Sequence, residues 1–205
     1  MKTRVLAVVK TLALSIAAIA IFTLSQGVAR ADAVTYSTNG SFNGLGNTIT
    51  FGAGGNTTTI TFTGVSSTVN ASPFTFASLG EFQTTVTGTG ATITPGTTFT
   101  LNIIQTVPSA GTGSLVGTLT GTIEQNQSTG LVTFSVTSAQ IGGVTYSLTN
   151  NPLPLVPPST NNGVTTVQAQ ISVPEPATMF LLGTGLAGVA AKVRKRRKAK
   201  LDADA

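Results

Sequence analysis

The chain contains no cysteine and no histidine in its 205 residues. Without them it has no disulfides, no thiolate or ordinary zinc sites, and no Ser-His or Cys-His nucleophile pair. A fold built from this chain must therefore be stabilised by its core alone. We expect no metal, no cofactor and no hydrolase site of these types.

Basic residues are absent from the interior of the chain, although the formal net charge is +5. Every Lys and Arg lies before Asp32 or after Ala191. A domain without Lys or Arg cannot follow a phosphate backbone or combine a basic stripe with stacking aromatic side chains. We therefore expect no nucleic-acid partner, and we attribute the high pI to the two ends.

The N-terminal end has the three parts of a secretory signal peptide. Residues 1–10 carry positive charge, residues 11–24 are almost all apolar, and Ala29 and Ala31 form a small-x-small cleavage site. This pattern predicts a signal peptide with a signal helix over residues 1–31, export by the Sec machinery, and signal peptidase cleavage before Asp32. An uncleaved anchor is disfavoured, because an apolar run of about fourteen residues is short for a spanning helix of about twenty.

The C-terminal end also has three parts in order: a proline-containing motif, an apolar segment from Met179 to Ala191, and a basic cluster. The prolines favour extended backbone, and residues 177–193 as a helix would just cross a thin bilayer core. Positive charge at both ends predicts that the interior is translocated, with residues 199–205 as a short cytoplasmic tail. The motif consists of Val173, Pro174, Glu175, Pro176, Ala177 and Thr178, and the stop-transfer cluster of Lys192, Arg194, Lys195, Arg196, Arg197 and Lys198.

The segment from Val173 to Arg197 closely resembles the PEP-CTERM sorting signal of Gram-negative bacteria, through VPEPAT, LLGTGLAGVAA and KVRKRRK. The resemblance implies that an exosortase, a membrane-embedded transpeptidase-like enzyme, recognises Pro174, Glu175 and Pro176 within the sorting signal of residues 173–198 and cuts near them. The transmembrane helix would then be temporary, and the protein would reach the cell envelope, the surface or the extracellular matrix. The chain departs from many members by continuing past the basic cluster.

A glycine pattern inside the same segment matches the G-x-G-x-x-G of dinucleotide sites, from Gly183 to Gly188. That site needs a preceding strand, a surrounding βαβ unit and an acidic residue about twenty positions on. Here the glycines lie in an apolar segment next to the basic cluster, so we expect no nucleotide binding.

Residues 32–172 are rich in Thr, Gly, Ser and Asn, with apolar residues interleaved, and this mixture favours strands over helices. The alternation predicts an all-β fold, an antiparallel β-sandwich that is jelly-roll-like, with eight to ten short strands. A β-solenoid is disfavoured because no fixed repeat is present. The predicted strands are 33–38, 59–63, 81–87, 98–103, 114–124, 131–136, 144–149 and 164–171.

Three segments between these strands have the composition of turns and loops. Residues 125–130 predict a hairpin connection, Gly142 and Gly143 a turn or bulge, and residues 150–163 an irregular surface loop. The Asn-rich segments 39–47 and 150–162 could bind sugars, but asparagine and glycine are also what turns require, and we favour turns.

Few side chains of the interior could perform chemistry. Glu81 and Glu124 are the only carboxylate pair apart from Asp32, and such a pair could in principle hydrolyse a glycosidic bond. Both positions also suit solvated carboxylates at the start or end of a strand. A calcium site needs several clustered carboxylates, and the interior sequence has no such cluster, so we expect no calcium site. Tyr36 and Tyr146 are the only tyrosines, and both fall within predicted strands.

We therefore expect a non-enzymatic structural or interaction protein of the envelope or biofilm matrix, exported and processed by exosortase after transient membrane contact. The alternative is a lectin-like module that binds exopolysaccharide through its neutral, hydroxyl-rich and amide-rich surface. A remote alternative is a glycan-active enzyme that uses Glu81 and Glu124.

Overall fold

The computed structural model describes residues 32–174, 182–190, 192 and 194. The predicted signal helix, the cleavage residues Ala29 and Ala31, most of the sorting motif and most of the basic cluster lie outside the described residues.

Strands dominate the described part of the chain, as the composition predicts, and there are fourteen of them. One short 3-10 helix covers Asn161–Gly163. The strands are β1 (Asp32–Phe42), β2 (Thr48–Ala53), β3 (Asn56–Thr63), β4 (Ser66–Ala71), β5 (Phe74–Thr87), β6 (Ala91–Thr92), β7 (Thr98–Val107), β8 (Gly111–Thr120), β9 (Thr122–Ile123), β10 (Leu131–Phe134), β11 (Ser138–Ile141), β12 (Val144–Leu148), β13 (Leu153–Pro154) and β14 (Val164–Ser172).

The strands form two six-stranded sheets. Sheet A has the order β13-β10-β8-β7-β1-β4, sheet B has the order β11-β12-β14-β5-β3-β2, and β6 pairs with β9 in a small third sheet. Neighbouring strands pair antiparallel. This confirms the predicted all-β antiparallel fold with two facing sheets, whereas the jelly-roll-like connectivity stays a prediction.

The core lies between sheets A and B and is rich in phenylalanine. In β7, Phe99, Leu101 and Ile103 are fully buried while the residues between them are half-buried. Phe99 meets Phe82 of sheet B with ring centroids 4.8 Å apart. Burial of one such side chain contributes about 1.5–3 kcal/mol, so the alternation explains both why β7 is a strand and which face it buries.

One predicted strand is interrupted by a glycine. The strand expected over residues 114–124 is divided into β8 and β9 at Gly121, which has φ 101°. A Cβ at this position would clash with the carbonyl oxygen of Thr129, so glycine is required there. β9 consequently leaves sheet A and pairs with β6, while β8 pairs with β10 as the predicted hairpin connection requires.

The other turn segments follow the prediction in part. Gly142 and Gly143, with φ 54° and 86°, form the two-residue turn between β11 and β12, which confirms the predicted turn. The prediction of an irregular surface loop over residues 150–163 is wrong in its middle. Leu153 and Leu155 are buried there, because β13 adds an edge strand to sheet A.

The sandwich has a complete core of its own. Its buried apolar side chains run from Val34 to Ile171. Within the described ranges, no buried side-chain nitrogen or oxygen lacks a hydrogen-bond partner. Since both core and polar groups are satisfied within residues 32–173, this domain can fold without either flanking segment.

The described residues of the C-terminal segment, 182–190, 192 and 194, are helical. This helix includes the whole stretch from Gly183 to Gly188, which is not the strand and turn that a dinucleotide site needs. Among the residues that the structure describes, no helix is both long enough and apolar enough to cross a membrane. The predicted transmembrane helix is therefore not found there.

Candidate functional site

The sorting motif begins where a central strand of sheet B ends. β14 lies between β12 and β5, and its last residue, Ser172, pairs with Thr145 on one side and Phe74 on the other. The backbone N–H of Val173 then donates to the carbonyl oxygen of Pro73 at 3.2 Å, and the Val173 side chain packs against the core. Pro174 is exposed. The chain is thus held by the domain as far as the first residue of the motif.

Two phenylalanines lie on the surface beside this junction. Phe74 and Phe76 are 48% and 60% exposed, and their ring centroids are 5.8 Å apart at 74°. They belong to the first half of β5, which extends beyond β3, because the pairing of β3 with β5 starts only at Glu81. The two rings therefore point away from the core on the outer face of sheet B.

A β-bulge explains why these rings face outwards. The register between β14 and β5 shifts where Val167 pairs with Gly80 and Gln168 with Ser78, so that Leu79 is an extra residue. Gly80 has φ 125°, and a Cβ there would clash with the Phe62 ring. Because of the extra residue, the even-numbered side chains of β5, such as Phe74 and Phe76, point outwards before the bulge, whereas those after it, such as Phe82, point inwards.

Polar side chains continue the surface of Phe74 and Phe76 across sheet B. The pairing of β5, β14, β12 and β11 places residues on the same face in two rows. All of them are exposed or half-buried, and none is charged. We call this surface the phenylalanine face. Its rows are Phe74, Ser172, Thr145 and Gln140, and Phe76, Gln170, Ser147 and Ser138.

The two tyrosines, in contrast, are inside the sandwich. Tyr36 and Tyr146 make an edge-to-face contact with ring centroids 5.7 Å apart. The hydroxyl of Tyr36 donates to the carbonyl oxygen of Ser78 at 2.7 Å, and that of Tyr146 donates to Gln105 Oε1 at 2.9 Å. Burial raises the pKa of both hydroxyls, and for Tyr146 the neighbouring Tyr36 raises the pKa further. They are core residues and present no surface for a ligand.

The two glutamates are in different parts of the domain. Glu81 is exposed on the outer face of sheet B, whereas Glu124 follows β9 and accepts a hydrogen bond from Gln127 at 2.6 Å. The carbonyl oxygen of Ile123, the residue before Glu124, accepts a hydrogen bond from the hydroxyl of Thr58, and Thr58 of β3 lies opposite Val86 of β5. Val86 is five residues from Glu81, about 17 Å along an extended strand, so the structure does not bring the two carboxylates together. In the described part of the chain, no three His, Cys, Asp or Glu side chains are grouped as metal ligands.

The asparagine-rich segments supply turn chemistry, as we favoured from the sequence, except that residues 39–42 belong to β1. Asn43, with φ 49°, accepts a hydrogen bond from the backbone N–H of Thr98 at 2.8 Å. Asn151 exchanges two hydrogen bonds with the backbone of Phe134, at 2.8 and 2.9 Å.

An open groove of about 320 Å³ lies beside the first of these segments, and none of the residues that line it is titratable. The groove can therefore offer hydrogen bonds, and its lining supplies no acid or base that could activate the threonine hydroxyls. Its lining consists of Asn43, Ile49, Thr50, Phe51, Thr94, Pro95, Gly96 and Thr97.

Comparisons with known proteins concern the C-terminal end of the chain. No curated protein and no solved structure matches the chain. One protein-family model does match a segment at this end of the chain. The matched segment includes Ser172 and Val173, which the structure holds against the domain, and extends through the apolar segment into the basic cluster. Residues 172–197 match the family of the PEP-CTERM protein-sorting motif, so this chain carries a signal that targets an exported protein to an exosortase and the cell envelope or surface.

Proposed function

We propose that the domain of residues 32–172 has a non-enzymatic structural or interaction role in the biofilm or exopolysaccharide matrix. The observation that carries the proposal is the direct connection between β14 and the sorting motif, with no intervening linker. The domain is then the part of the protein that the signal delivers. Before processing, this short connection would hold the domain close to the membrane, which disfavours a role as a long-reach adhesin.

The outer surface of the sandwich supports a role outside the cell. Threonine hydroxyls face each other across paired strands, as between Thr48 and Thr61 at 3.1 Å and between Thr50 and Thr59 at 2.9 Å. Such cross-strand pairs stabilise a sheet without a charge or a cysteine. A surface of this kind remains hydrated, and neither oxidation of a thiol nor a moderate change in pH alters it.

Processing would proceed in two steps. Signal peptidase would release the chain at Asp32 after Sec export, and the exosortase would act on the motif while the basic cluster stays on the cytoplasmic side. Because Val173 is bonded to Pro73 and β14 is a central strand, the enzyme would have access only from Pro174 onwards.

The test uses the full chain with an epitope tag after Asp32, expressed in cells with an active exosortase. We expect a surface product that lacks the C-terminal segment, by mass spectrometry of its C-terminus. The Glu175→Gln variant should accumulate unprocessed in the envelope, and Glu124→Gln, which removes a carboxylate of the domain, should be processed normally. Recovery of the unaltered chain with its full tail from such cells would refute the proposal.

Two alternative functions differ in their support. A lectin-like module is favoured by the phenylalanine face, which combines exposed aromatic rings with amides and hydroxyls. A glycan-active enzyme would require Glu81 and Glu124 in one cleft, and their places in the fold argue against it. Hydrolysis of a polysaccharide that is abolished by Glu81→Gln or Glu124→Gln would favour the enzyme.

A further inference from the structure

The phenylalanine face is the part of the domain whose exposure needs an explanation. Phe74 and Phe76 leave about half of each ring in water, although the sandwich buries its other large aromatic side chains. Contiguous exposed apolar surface with a polar surround is typical of interaction sites. The bulge at Gly80 holds both rings in this orientation, so their exposure is built into the backbone.

We propose that the phenylalanine face binds a neutral polysaccharide, with sugar rings packed on Phe74 and Phe76. This inference rests on the proposed matrix role and specifies the ligand and the site. The C–H groups of a sugar ring are apolar and carry slight positive charge, and they fit the negative face of an aromatic ring. The ring planes lie at 74° to each other, so the two rings present differently oriented surfaces to a bound polysaccharide.

The side chains next to the rings match the remaining chemistry of a sugar. Gln170 pairs with Phe76 across the strands, and Ser172 pairs with Phe74. An amide and a hydroxyl each donate and accept hydrogen bonds, as do the hydroxyl groups of a saccharide. Gln140 lies at the far end of the row that begins with Phe74. Four strands at a spacing of about 4.8 Å make each row about 14 Å long, enough for a few sugar units.

Charge selects a neutral polysaccharide over other partners. The domain has no Lys or Arg that could pair with a uronate, a phosphate or an anionic lipid headgroup. Glu81, farther along β5, would repel such anions. Binding of a neutral polysaccharide needs no opposite charge on the protein, so the absence of basic side chains does not lower the affinity for it.

The site is rigid and close to the sorting signal. Its rows belong to four hydrogen-bonded strands, and sites on such elements are held more accurately than sites on loops. Ser172, the last residue of β14, is both a member of the face and the first residue of the segment, 172–197, that matches the sorting-motif family. A polysaccharide bound here would lie beside the point from which the chain leaves the domain.

The experiment uses residues 32–173, whose core is complete, in native gels that contain a soluble neutral polysaccharide. The panel includes a β-glucan, an α-glucan and a galactomannan, with alginate as the acidic comparison. We expect retardation by at least one neutral polysaccharide and none by alginate. The Phe74→Ser/Phe76→Ser double variant should lose about tenfold or more in affinity, because it removes both aromatic surfaces on which the sugar rings pack.

The matched control is Val116→Ser, which removes an exposed apolar side chain from the outer face of sheet A and should leave retardation unchanged. Urea unfolding of all variants verifies the fold, and removal of exposed rings should leave it intact. The proposal is overturned if no neutral polysaccharide retards the domain, or if the double variant is retarded like the parent. It is also overturned if the two phenylalanines instead mediate binding to phosphatidylcholine vesicles or dimer formation. These outcomes are independent of the export and processing assay, so either proposal can fail alone.

Discussion

The buried tyrosine pair makes the domain sensitive to alkali in a way that can be worked out from the structure. Residues 32–173 contain no Lys, Arg, His or Cys. Tyr36 and Tyr146 are therefore the only side chains of the domain that titrate above pH 7. Both are fully buried, and removal of water from a phenolate raises the pKa of each.

The sign of the effect follows from proton binding. In the unfolded chain a tyrosine loses its proton near pH 10, whereas the folded domain retains it to higher pH. The native state then binds more protons than the unfolded state, and stability decreases as pH rises. Below pH 10 both tyrosines are protonated in the folded and the unfolded chain, so the stability of the domain is not reduced by their titration. At pH 11 a tyrosine that stays protonated in the folded domain lowers its stability by about 1.4 kcal/mol relative to neutral pH.

The perturbation that tests this reasoning is Tyr146→Phe. At neutral pH it leaves Gln105 Oε1 buried without its 2.9 Å partner, and we expect a loss of about 1–3 kcal/mol. Between pH 9 and pH 11, however, the variant should lose less stability than the parent, because Tyr36 is then the only tyrosine whose buried hydroxyl resists ionisation. The Gln105 amide still donates to the carbonyl oxygens of Ser109 and Ile141, so the local fold should persist.

Two measurements check the prediction. Urea unfolding at pH 9 and pH 11 gives the stability difference, and near-ultraviolet absorbance reports tyrosinate directly, because the chain contains no tryptophan. Tyrosinate should appear only together with the loss of strand signal in circular dichroism. Gradual ionisation near pH 10 with circular dichroism unchanged would refute the reasoning, as would equal pH dependence in parent and variant.

Two further predictions concern close contacts in the sandwich. Gly40→Ala places a Cβ 2.5 Å from the rings of two core phenylalanines, and overpacking should cost about 1–3 kcal/mol in urea unfolding. Gly46→Ala, which enters open space, should change stability by less than about 0.5 kcal/mol, and an equal loss in both would contradict the packing argument. Asn151→Ala removes both hydrogen bonds to the Phe134 backbone and should cost about 1–3 kcal/mol, with faster amide exchange at Phe134. Asn126→Ala, at an exposed position, is the control and should change neither quantity. Unchanged amide exchange at Phe134 in Asn151→Ala would contradict the prediction.

Strands with one clearly apolar face could be predicted from the sequence. β3 and β7 alternate hydroxyls with large apolar side chains, and each buries the face that the alternation indicates. β4, by contrast, has the sequence SSTVNA and buries only Ala71. It is a strand because β1 supplies hydrogen-bond partners along its whole length, and such pairing is a property of the fold and not of the segment.

The candidate site could likewise be predicted from the sequence only in part. The sorting motif could be predicted in full, because a processing enzyme recognises it as a linear segment. The phenylalanine face could not, since unbroken alternation would place Phe74 and Phe76 on the same side as the buried Phe82. The one local signal is Gly80, since a glycine inside a strand often accompanies a bulge, but only the pairing with β14 shows that a residue is inserted there.

The central position of β14 also determines how the domain would respond to mechanical force. A load applied through the C-terminal end enters the fold at Ser172 and runs along the strand. There it is opposed by hydrogen bonds to β12 and β5 on both sides, which lie across the direction of pull and must break together in shear. An edge strand pulled in the same direction would have such bonds on one side only. Resistance to forced unfolding depends on the unfolding rate and not on equilibrium stability, so a pull on this end of the domain should be resisted more strongly than the equilibrium stability alone indicates.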